Sequence, residues 1–145
     1  MNLVEMELRE IQINENTMGG QIVVLGEKNG ERVFPIYIGL YEAHAMNMSV
    51  QAKKTERPMT HDLIYNILDG VNLKLEKICV DVLKDDTFHG KLVLRNQKGE
   101  EFWVDSRPSD AIILAAKRNT PIFVSEDVLN EICKYQSEDD DLFNP

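Results

Sequence analysis

Two short segments of the chain combine an arginine, a proline and acidic residues in nearly the same arrangement. The first is "RPMTHD", residues 57–62, and the second is "DSRPSD", residues 105–110. Proline fixes its own φ angle and biases the residue before it towards an extended conformation, so each arginine has a defined direction. A planar guanidinium so placed binds either a carboxylate of its own chain or a phosphate. Both alternatives are open from the sequence.

Each of these segments opens an apolar pattern of helical spacing, which predicts that it lies at a helix N-terminus. Backbone N–H groups and the helix dipole favour anions such as phosphate at that position. We therefore expect the two segments to converge in one cleft. The residues predicted to bind a substrate phosphate are Arg57, Thr60, Arg107 and Ser109.

Proton transfer and metal binding are the chemistry that the remaining residues of these segments could perform. Imidazole titrates near neutral pH, which makes His61 the candidate proton shuttle. The candidate catalytic residues are His61, Asp62, Asp105 and Asp110. Hard cations take carboxylate oxygens, so Glu42, Asp105 and Asp110 are the candidate ligands of Mg²⁺ or Mn²⁺. The alternative for Glu42 and Asp110 is that they only complement helix dipoles.

Composition places the chain among globular proteins with one domain. It has 145 residues, of which 43% are hydrophobic and 28% charged. No apolar run approaches the roughly 20 residues that span a bilayer, and no secretory signal is visible at the N-terminus. Cys79 and Cys133 show no metal or redox spacing, which is typical of free thiols in a reducing compartment. We therefore expect a cytoplasmic protein that does not bind membranes.

The net charge of −9 is informative about partners. Proteins that bind nucleic acid nonspecifically usually present a basic surface, because neutralisation of phosphates dominates that affinity. The charge therefore counts against tight nonspecific binding but leaves room for a small basic site or a metal-bridged one. Part of the charge lies in residues 135–145, which we predict to be an acidic, flexible tail.

An internal repeat predicts the fold. The stretch "GQIVVLGEKNGERVF" resembles "GKLVLRNQKGEEFW", and both read as hairpins. Each is preceded by another extended run and followed by two helical patterns. This predicts an α+β domain, residues 1–134, made of two β-β-β-α-α repeats, about 1–70 and 71–134, whose curved or barrel-like, largely antiparallel sheet is covered by helices. The stretch "NTPIFV" adds a short strand between the last two helices. Exposed strand edges and paired halves favour a homo-oligomer, most simply a dimer.

Four stretches of the chain, taken in order, resemble the bifunctional nuclease domain family. They are "FPIYIGLYEAHAM", "RPMTHDLI", "TFHGKLVL" and "VDSRPSDAIILAAKRNTPIFV". The resemblance covers nearly the whole chain and implies an activity that degrades RNA and DNA. It also implies that this chain is similar to the bacterial members that consist of the isolated domain. The positions that match the family pattern include Glu42, Arg57, His61, Asp62, Asp105, Arg107 and Asp110.

Two functional hypotheses follow. The first is a nuclease that hydrolyses phosphodiester bonds of RNA, DNA or both, assisted by a divalent metal ion. The second is a non-catalytic binding or regulatory domain, in which the same arginine and aspartate clusters only lock the two halves together. The nuclease is the prediction, and the non-catalytic domain is its alternative.

Overall fold

A computed structural model describes residues 2–14 and 20–133 of the chain. Within these residues the elements follow in the order β1 (Leu3–Gln12), β2 (Gln21–Glu27), β3 (Val33–Ile38), α1 (Leu40–Val50), α2 (Thr60–Gly70), β4 (Lys74–Lys84), β5 (Thr87–Arg95), β6 (Glu101–Ser106), α3 (Pro108–Arg118) and β7 (Ile122–Ser125). Residues 126–133 are helical and are called α4. No helix of the described part is long and apolar enough to cross a membrane.

The seven strands form one mostly antiparallel sheet with the order β3-β2-β1-β7-β4-β5-β6. The single parallel pair joins β4 to β7, and every other neighbouring pair is antiparallel. The α+β class predicted from the sequence is confirmed. The sheet does not close into a barrel, because β3 and β6 are its two edges and do not pair with each other. The barrel-like alternative was therefore wrong.

The described element order agrees with most of the predicted repeat. Strands β1, β2 and β3 form one antiparallel meander and are followed by two helices. Strands β4, β5 and β6 form a second meander, which α3, β7 and α4 follow. The short strand predicted in "NTPIFV" is confirmed as β7, which lies between β1 and β4 and joins the meanders. The internal duplication stays a prediction. The predicted tail, residues 135–145, lies outside the described residues.

Helix α3 lies at the centre of the hydrophobic core. Its run from Ala111 to Ala115 is at most 1% exposed, and it packs against α1, α2, β4 and β5. The chain starts this helix with Pro108 in its first turn, where a missing N–H costs nothing, and ends it at Asn119 in the left-handed region (φ 53°). Burial of each large apolar side chain of α3 contributes about 1.5–3 kcal/mol to stability.

Gly90 on β5 sets the distance between the second meander and the start of α3. A Cβ atom at this position would lie 3.1 Å from the backbone oxygen of Ser106 and 3.3 Å from the backbone of Pro108. Only glycine therefore lets β5 approach the segment that turns from β6 into α3. The position of the second arginine-proline segment depends on this contact.

We expect Gly90→Ala to destabilise the protein by about 1–2 kcal/mol, because backbone atoms rather than flexible side chains must move to make room. Gly70→Ala is the matched control, since nothing lies within 4 Å of a Cβ at the end of α2. Alanine is the better helix former, so this change should raise stability by up to about 1 kcal/mol. Urea unfolding measures both changes. Equal stability of the two variants would contradict the packing argument.

Candidate active site

Three helix N-termini meet around the candidate active site. Glu42 lies in the first turn of α1, His61 and Asp62 lie in the first turn of α2, and Asp110 lies in the first turn of α3. The residues that precede these helices, Gly39, Met59 and Arg107, all have extended backbone angles. For Arg107 this is the conformation that a following proline imposes. Local sequence therefore determines the backbone position from which each of these side chains extends.

The carboxylate of Asp110 joins the two arginine-proline segments. Its Oδ1 atom lies 3.0 Å from Nε2 of His61, and its Oδ2 atom accepts a hydrogen bond of 2.8 Å from Nε of Arg107. The guanidinium of Arg107 also reaches Glu42, with 3.5 Å between Nη1 and Oε1. Residues from the starts of all three helices therefore form one connected network.

The electrostatics of this network keep Asp110 ionised. Partial burial raises the pKa of the Asp110 carboxyl, but hydrogen bonds from Arg107 and His61, together with their charges, outweigh it and lower that pKa below its ordinary value. The same hydrogen bond with Asp110 raises the pKa of Arg107 above its ordinary value. His61 is 14% exposed and Arg107 is 65% exposed. The imidazole is thus enclosed, while the guanidinium faces solvent.

Asp62 has a structural role at the start of α2. Its Oδ2 atom accepts a 2.9 Å hydrogen bond from the backbone N–H of Met59, which caps the helix, and its Oδ1 atom lies 2.8 Å from Nζ of Lys117. The hydrogen bond from Lys117 and then the one from Met59 lower the pKa of Asp62 below its ordinary value. Both oxygens thus have partners: the contact with Met59 caps α2, and the contact with Lys117 ties α2 to α3.

A second set of contacts ties α2 to α3 one to two turns further along. The hydroxyl of Tyr65 donates a hydrogen bond to the backbone oxygen of Leu114. The guanidinium of Arg118 lies 4.0 Å from the centre of the Tyr65 ring and forms two hydrogen bonds with Asp69, of 2.7 and 3.1 Å. These contacts fix the spacing of the two helices and so position His61 opposite Asp110.

The network opens into a cleft of about 270 Å³, called the site cleft. Six residues predicted from the sequence line it: Glu42, Thr60, His61, Asp62, Arg107 and Asp110. Tyr41, Lys53 and Lys117 also line it, and the sequence had not singled them out. For Lys117 a signal existed, because it lies seven residues after Asp110 and two helical turns bring both to one face. For Tyr41 and Lys53 the sequence carried no such signal.

Three of the predicted site residues do not line the site cleft. Arg57 is exposed and forms no ion pair within the part of the chain that the structure describes. Ser109 is buried, with 8% exposure. Asp105 is 77% exposed on β6, where its Oδ1 atom lies 3.2 Å from Nζ of Lys91 and 4.0 Å from Nδ1 of His89. The expected convergence therefore holds for the Arg107 segment and the start of α2, and not for these three positions.

The predicted metal ligands do not form one group. Asp105 belongs to the separate cluster on β6, and both oxygens of Asp110 already have partners. In residues 2–14 and 20–133 no three side chains of histidine, cysteine, aspartate or glutamate are arranged to hold a metal ion. The side chains that the structure describes thus do not fit a resident Mg²⁺ or Mn²⁺.

Fold and site together define an α+β protein whose histidine, carboxylate and arginine meet in one cleft. A family model described as the bifunctional nuclease domain matches residues 23–136. Two proteins of Mycobacterium tuberculosis, uncharacterized protein MT1877 (strain CDC 1551 / Oshkosh) and uncharacterized protein Rv1829 (strain ATCC 25618 / H37Rv), are each 35% identical over 125 residues, which is 85% of this chain and 73% of each relative. The chain belongs to the bifunctional nuclease domain family.

The lowered pKa of Asp110 predicts a pH dependence of stability. A carboxyl whose folded pKa lies below the unfolded value of 3.8 stabilises the fold above about pH 4, and this contribution is lost as pH falls towards the folded pKa. We expect Asp110→Asn to lower the melting temperature at pH 6. The difference from the unmodified protein should shrink as pH falls from 4 to 2.5.

Melting curves recorded between pH 6 and pH 2.5 test this. Asp86→Asn is the control, because Asp86 is exposed in the β4–β5 turn and its side chain has no partner among the described residues. Its effect should be small at every pH. If Asp110→Asn lowers the melting temperature by the same amount over the whole pH range, the carboxylate of Asp110 is not ionised and paired as described.

Proposed function

We propose that this protein is a nuclease that cleaves phosphodiester bonds in the site cleft. The observation that carries the proposal is the contact of Asp110 with both His61 and Arg107 at the mouth of a cleft. Membership in the bifunctional nuclease domain family supports the same reaction class. Asp105, Ser109 and Arg57 have no part in it, since they do not line this cleft.

Arg107 is the residue proposed to bind the phosphate. Asp110 holds its Nε atom and Glu42 lies near Nη1, so the plane of the guanidinium has a defined orientation. Its Nη2 atom has no hydrogen-bond partner among the described residues, and the side chain is 65% exposed, which leaves this donor available to a ligand. A positioned guanidinium binds phosphate oxygens and stabilises the charge that they develop during cleavage. Thr60, which also lines the cleft, can donate a further hydrogen bond from its hydroxyl.

His61 is the residue proposed to move the proton. When the imidazole is neutral, Asp110 favours the tautomer that carries hydrogen on Nε2, which leaves Nδ1 free to accept a proton from the attacking oxygen. The carboxylate then stabilises the imidazolium that forms. Asp110 acts through His61 and Arg107, so it positions both groups. Positioned general acid–base catalysis contributes roughly 10²- to 10⁴-fold to the rate.

RNA is the substrate that this set of groups suits best. Its 2′-oxygen attacks the adjacent phosphorus while His61 accepts the hydroxyl proton, the bond from phosphorus to the 5′-oxygen breaks, and a 2′,3′-cyclic phosphate forms. The imidazolium returns the proton to the leaving 5′-oxygen. DNA lacks this internal nucleophile and needs an activated water. One histidine that takes and returns a proton and one phosphate clamp therefore meet the minimal needs of RNA cleavage.

Purified protein incubated with labelled RNA and labelled DNA, in EDTA and with Mg²⁺ or Mn²⁺, tests the proposal. We expect His61→Gln and Arg107→Lys to reduce cleavage at least 100-fold, since lysine keeps the charge and loses the two-pronged geometry. Arg57→Lys is the matched control, because it changes the other arginine-proline segment outside the cleft, and it should change the rate less than threefold.

The competing hypothesis is a non-catalytic domain in which the same network is only a structural clasp. It predicts no cleavage by the unmodified protein in any of these conditions, together with a lower melting temperature for Arg107→Lys. Cleavage that persists in His61→Gln would point to a contaminating nuclease and would contradict the proposed site.

We also propose that the protein is a homodimer that pairs through α2. Met59, Leu63, Ile67 and Val71 recur every four residues and are 48%, 52%, 56% and 59% exposed. This stripe, called the α2 stripe, continues on the outer side of the helix opposite the buried Tyr65 and Leu68. Residues spaced by four form the ridges that interlock between packed helices.

A second copy of the chain is the occupant that the charges favour. A two-fold contact brings one patch against the same patch of the partner, so a charged patch would repel itself in a protein of net charge −9. The α2 stripe and its exposed neighbours Thr60, Asn66 and Gly70 carry no charge. The stripe therefore offers apolar area without that repulsion.

Light scattering coupled to gel filtration tests the dimer. We expect the unmodified protein to run at twice the chain mass and Leu63→Asp to run as a monomer, since the change would place two charges against each other. Val50→Asp is the matched control, because Val50 has nearly the same exposure, 53%, at the end of α1. A monomer mass for the unmodified protein at high micromolar concentration would contradict the proposal.

Two cysteines without a disulfide partner support a reducing compartment, which we propose to be the cytoplasm. Cys79 and Cys133 are free thiols. Burial raises the pKa of the Cys79 thiol to about 11, so this residue is a core side chain and not a nucleophile.

A further inference from the structure

The site cleft continues into a second cavity. A groove of about 420 Å³, called the side groove, lies along the start of α2 and the end of α3. Lys53, Thr55, Asp62 and Lys117 line both cavities, so the two adjoin along these side chains and are together called the channel. A ligand held at Arg107 can therefore extend past these shared residues without leaving the surface.

Cations are concentrated along this channel although the chain is acidic overall. Lys53 and Lys54, in the loop between α1 and α2, are exposed and form no ion pair with any other described residue. Lys117 and Arg118 lie next to each other on the opposite wall. Two acids line the side groove. Asp62 is already satisfied by Lys117 and a backbone N–H group, whereas Glu56 is exposed and forms no ion pair with any other described residue. Lys53 and Lys54 thus exceed this unpaired acid by one positive charge beside the phosphate clamp.

An aromatic ring lies at the other end of the channel. Tyr41, in the first turn of α1, lines the site cleft beside Glu42 and is 87% exposed. Its ring is among the most exposed large apolar surfaces of the described chain. Exposed aromatic rings beside phosphate-binding groups are the platforms on which unpaired bases stack.

We propose that the channel binds one strand of nucleic acid, with a base stacked on Tyr41 and the following phosphates bound by Lys53 and Lys54. The choice of polymer rests on the proposed function. The strand must be single, because bases in a duplex are stacked on each other and present no free face to Tyr41. The volume of the site cleft, about 270 Å³, lies near the lower end of small-molecule pockets and suits one nucleotide rather than two paired strands.

Fluorescence anisotropy with a labelled 12-nucleotide dT strand in EDTA tests the stacking platform. We expect Tyr41→Ala to weaken binding by about 5- to 150-fold, the range for the loss of one stacked base, and Tyr41→Phe to bind normally. Tyr37→Ala is the matched control, because Tyr37 is 74% exposed on β3 and lines neither cavity. Its affinity should stay within twofold of that of the unmodified protein.

The salt dependence of the same titration tests the phosphate contacts. Loss of two contacts to a single strand should reduce the slope of log affinity against log salt by about 1.4 in Lys53→Ala/Lys54→Ala. The control pair Lys84→Ala/Lys98→Ala, exposed elsewhere on the sheet, should leave the slope unchanged.

Three results would overturn the channel. The first is that Tyr41→Ala and Tyr37→Ala bind the strand with equal affinity. The second is that a 12-base-pair duplex binds as tightly as the single strand. The third is that an equal concentration of an acidic peptide displaces the strand. The test is separable from the proposed function. If the protein binds the strand through Tyr41 but cleaves no nucleic acid, the channel proposal is supported and the nuclease proposal is contradicted. If it cleaves nucleic acid but Tyr41 contributes nothing to binding, the nuclease proposal is supported and the channel proposal is contradicted.

Discussion

The ionised carboxylate of Asp110 is the constraint on which the rest of the site depends. A partly buried carboxylate is costly unless both of its oxygens are paired, and here one oxygen meets His61 and the other meets Arg107. Those partners come from α2 and from the residue that precedes α3. The contact can form only if the starts of α2 and α3 face each other at a fixed distance. The other polar contacts between α2 and α3 help to set that distance.

Several different contacts hold the starts of α2 and α3 at the distance that the Asp110 network needs. Gly90 lets β5 approach the turn from β6 into α3, which sets the position of Arg107. Tyr65 and Arg118 fix α2 on α3 further along, where the apolar core alone would allow the helices to slide. His61 and Asp110 are largely enclosed, so removing either one leaves the other without its polar partner, and residues that serve chemistry in this network also contribute to stability.

The sequence predicted local structure well, but it predicted less well which way individual side chains face. Alternating strands predicted the hairpins, and proline followed by an apolar pattern of helical spacing predicted the starts of α2 and α3, because these depend on neighbours along the chain. Asp105 and Asp110 looked equivalent five residues apart, yet one ends a strand beside Lys91 and the other begins a helix beside His61. Arg57 matched Arg107 in its motif but not in its surroundings. Tertiary packing decides these differences, and Tyr41 and Lys53 enter the site through it alone.

Net charge describes the whole surface and does not describe one cleft, for a physical reason. Affinity for a polyanion depends on the field within about 8 to 10 Å of each phosphate at ordinary salt, not on the total charge. Near the site cleft, Asp110 is paired with His61 and Arg107, and Asp62 with Lys117 and a helix N-terminus. Of the unpaired charges on the side groove, Lys53 and Lys54 are positive and Glu56 is negative, while most of the −9 of the whole chain lies on other surfaces. The ion pairs that hold α2 against α3 thus remove acids from the balance of charge at this place, and the proposed channel depends on that removal.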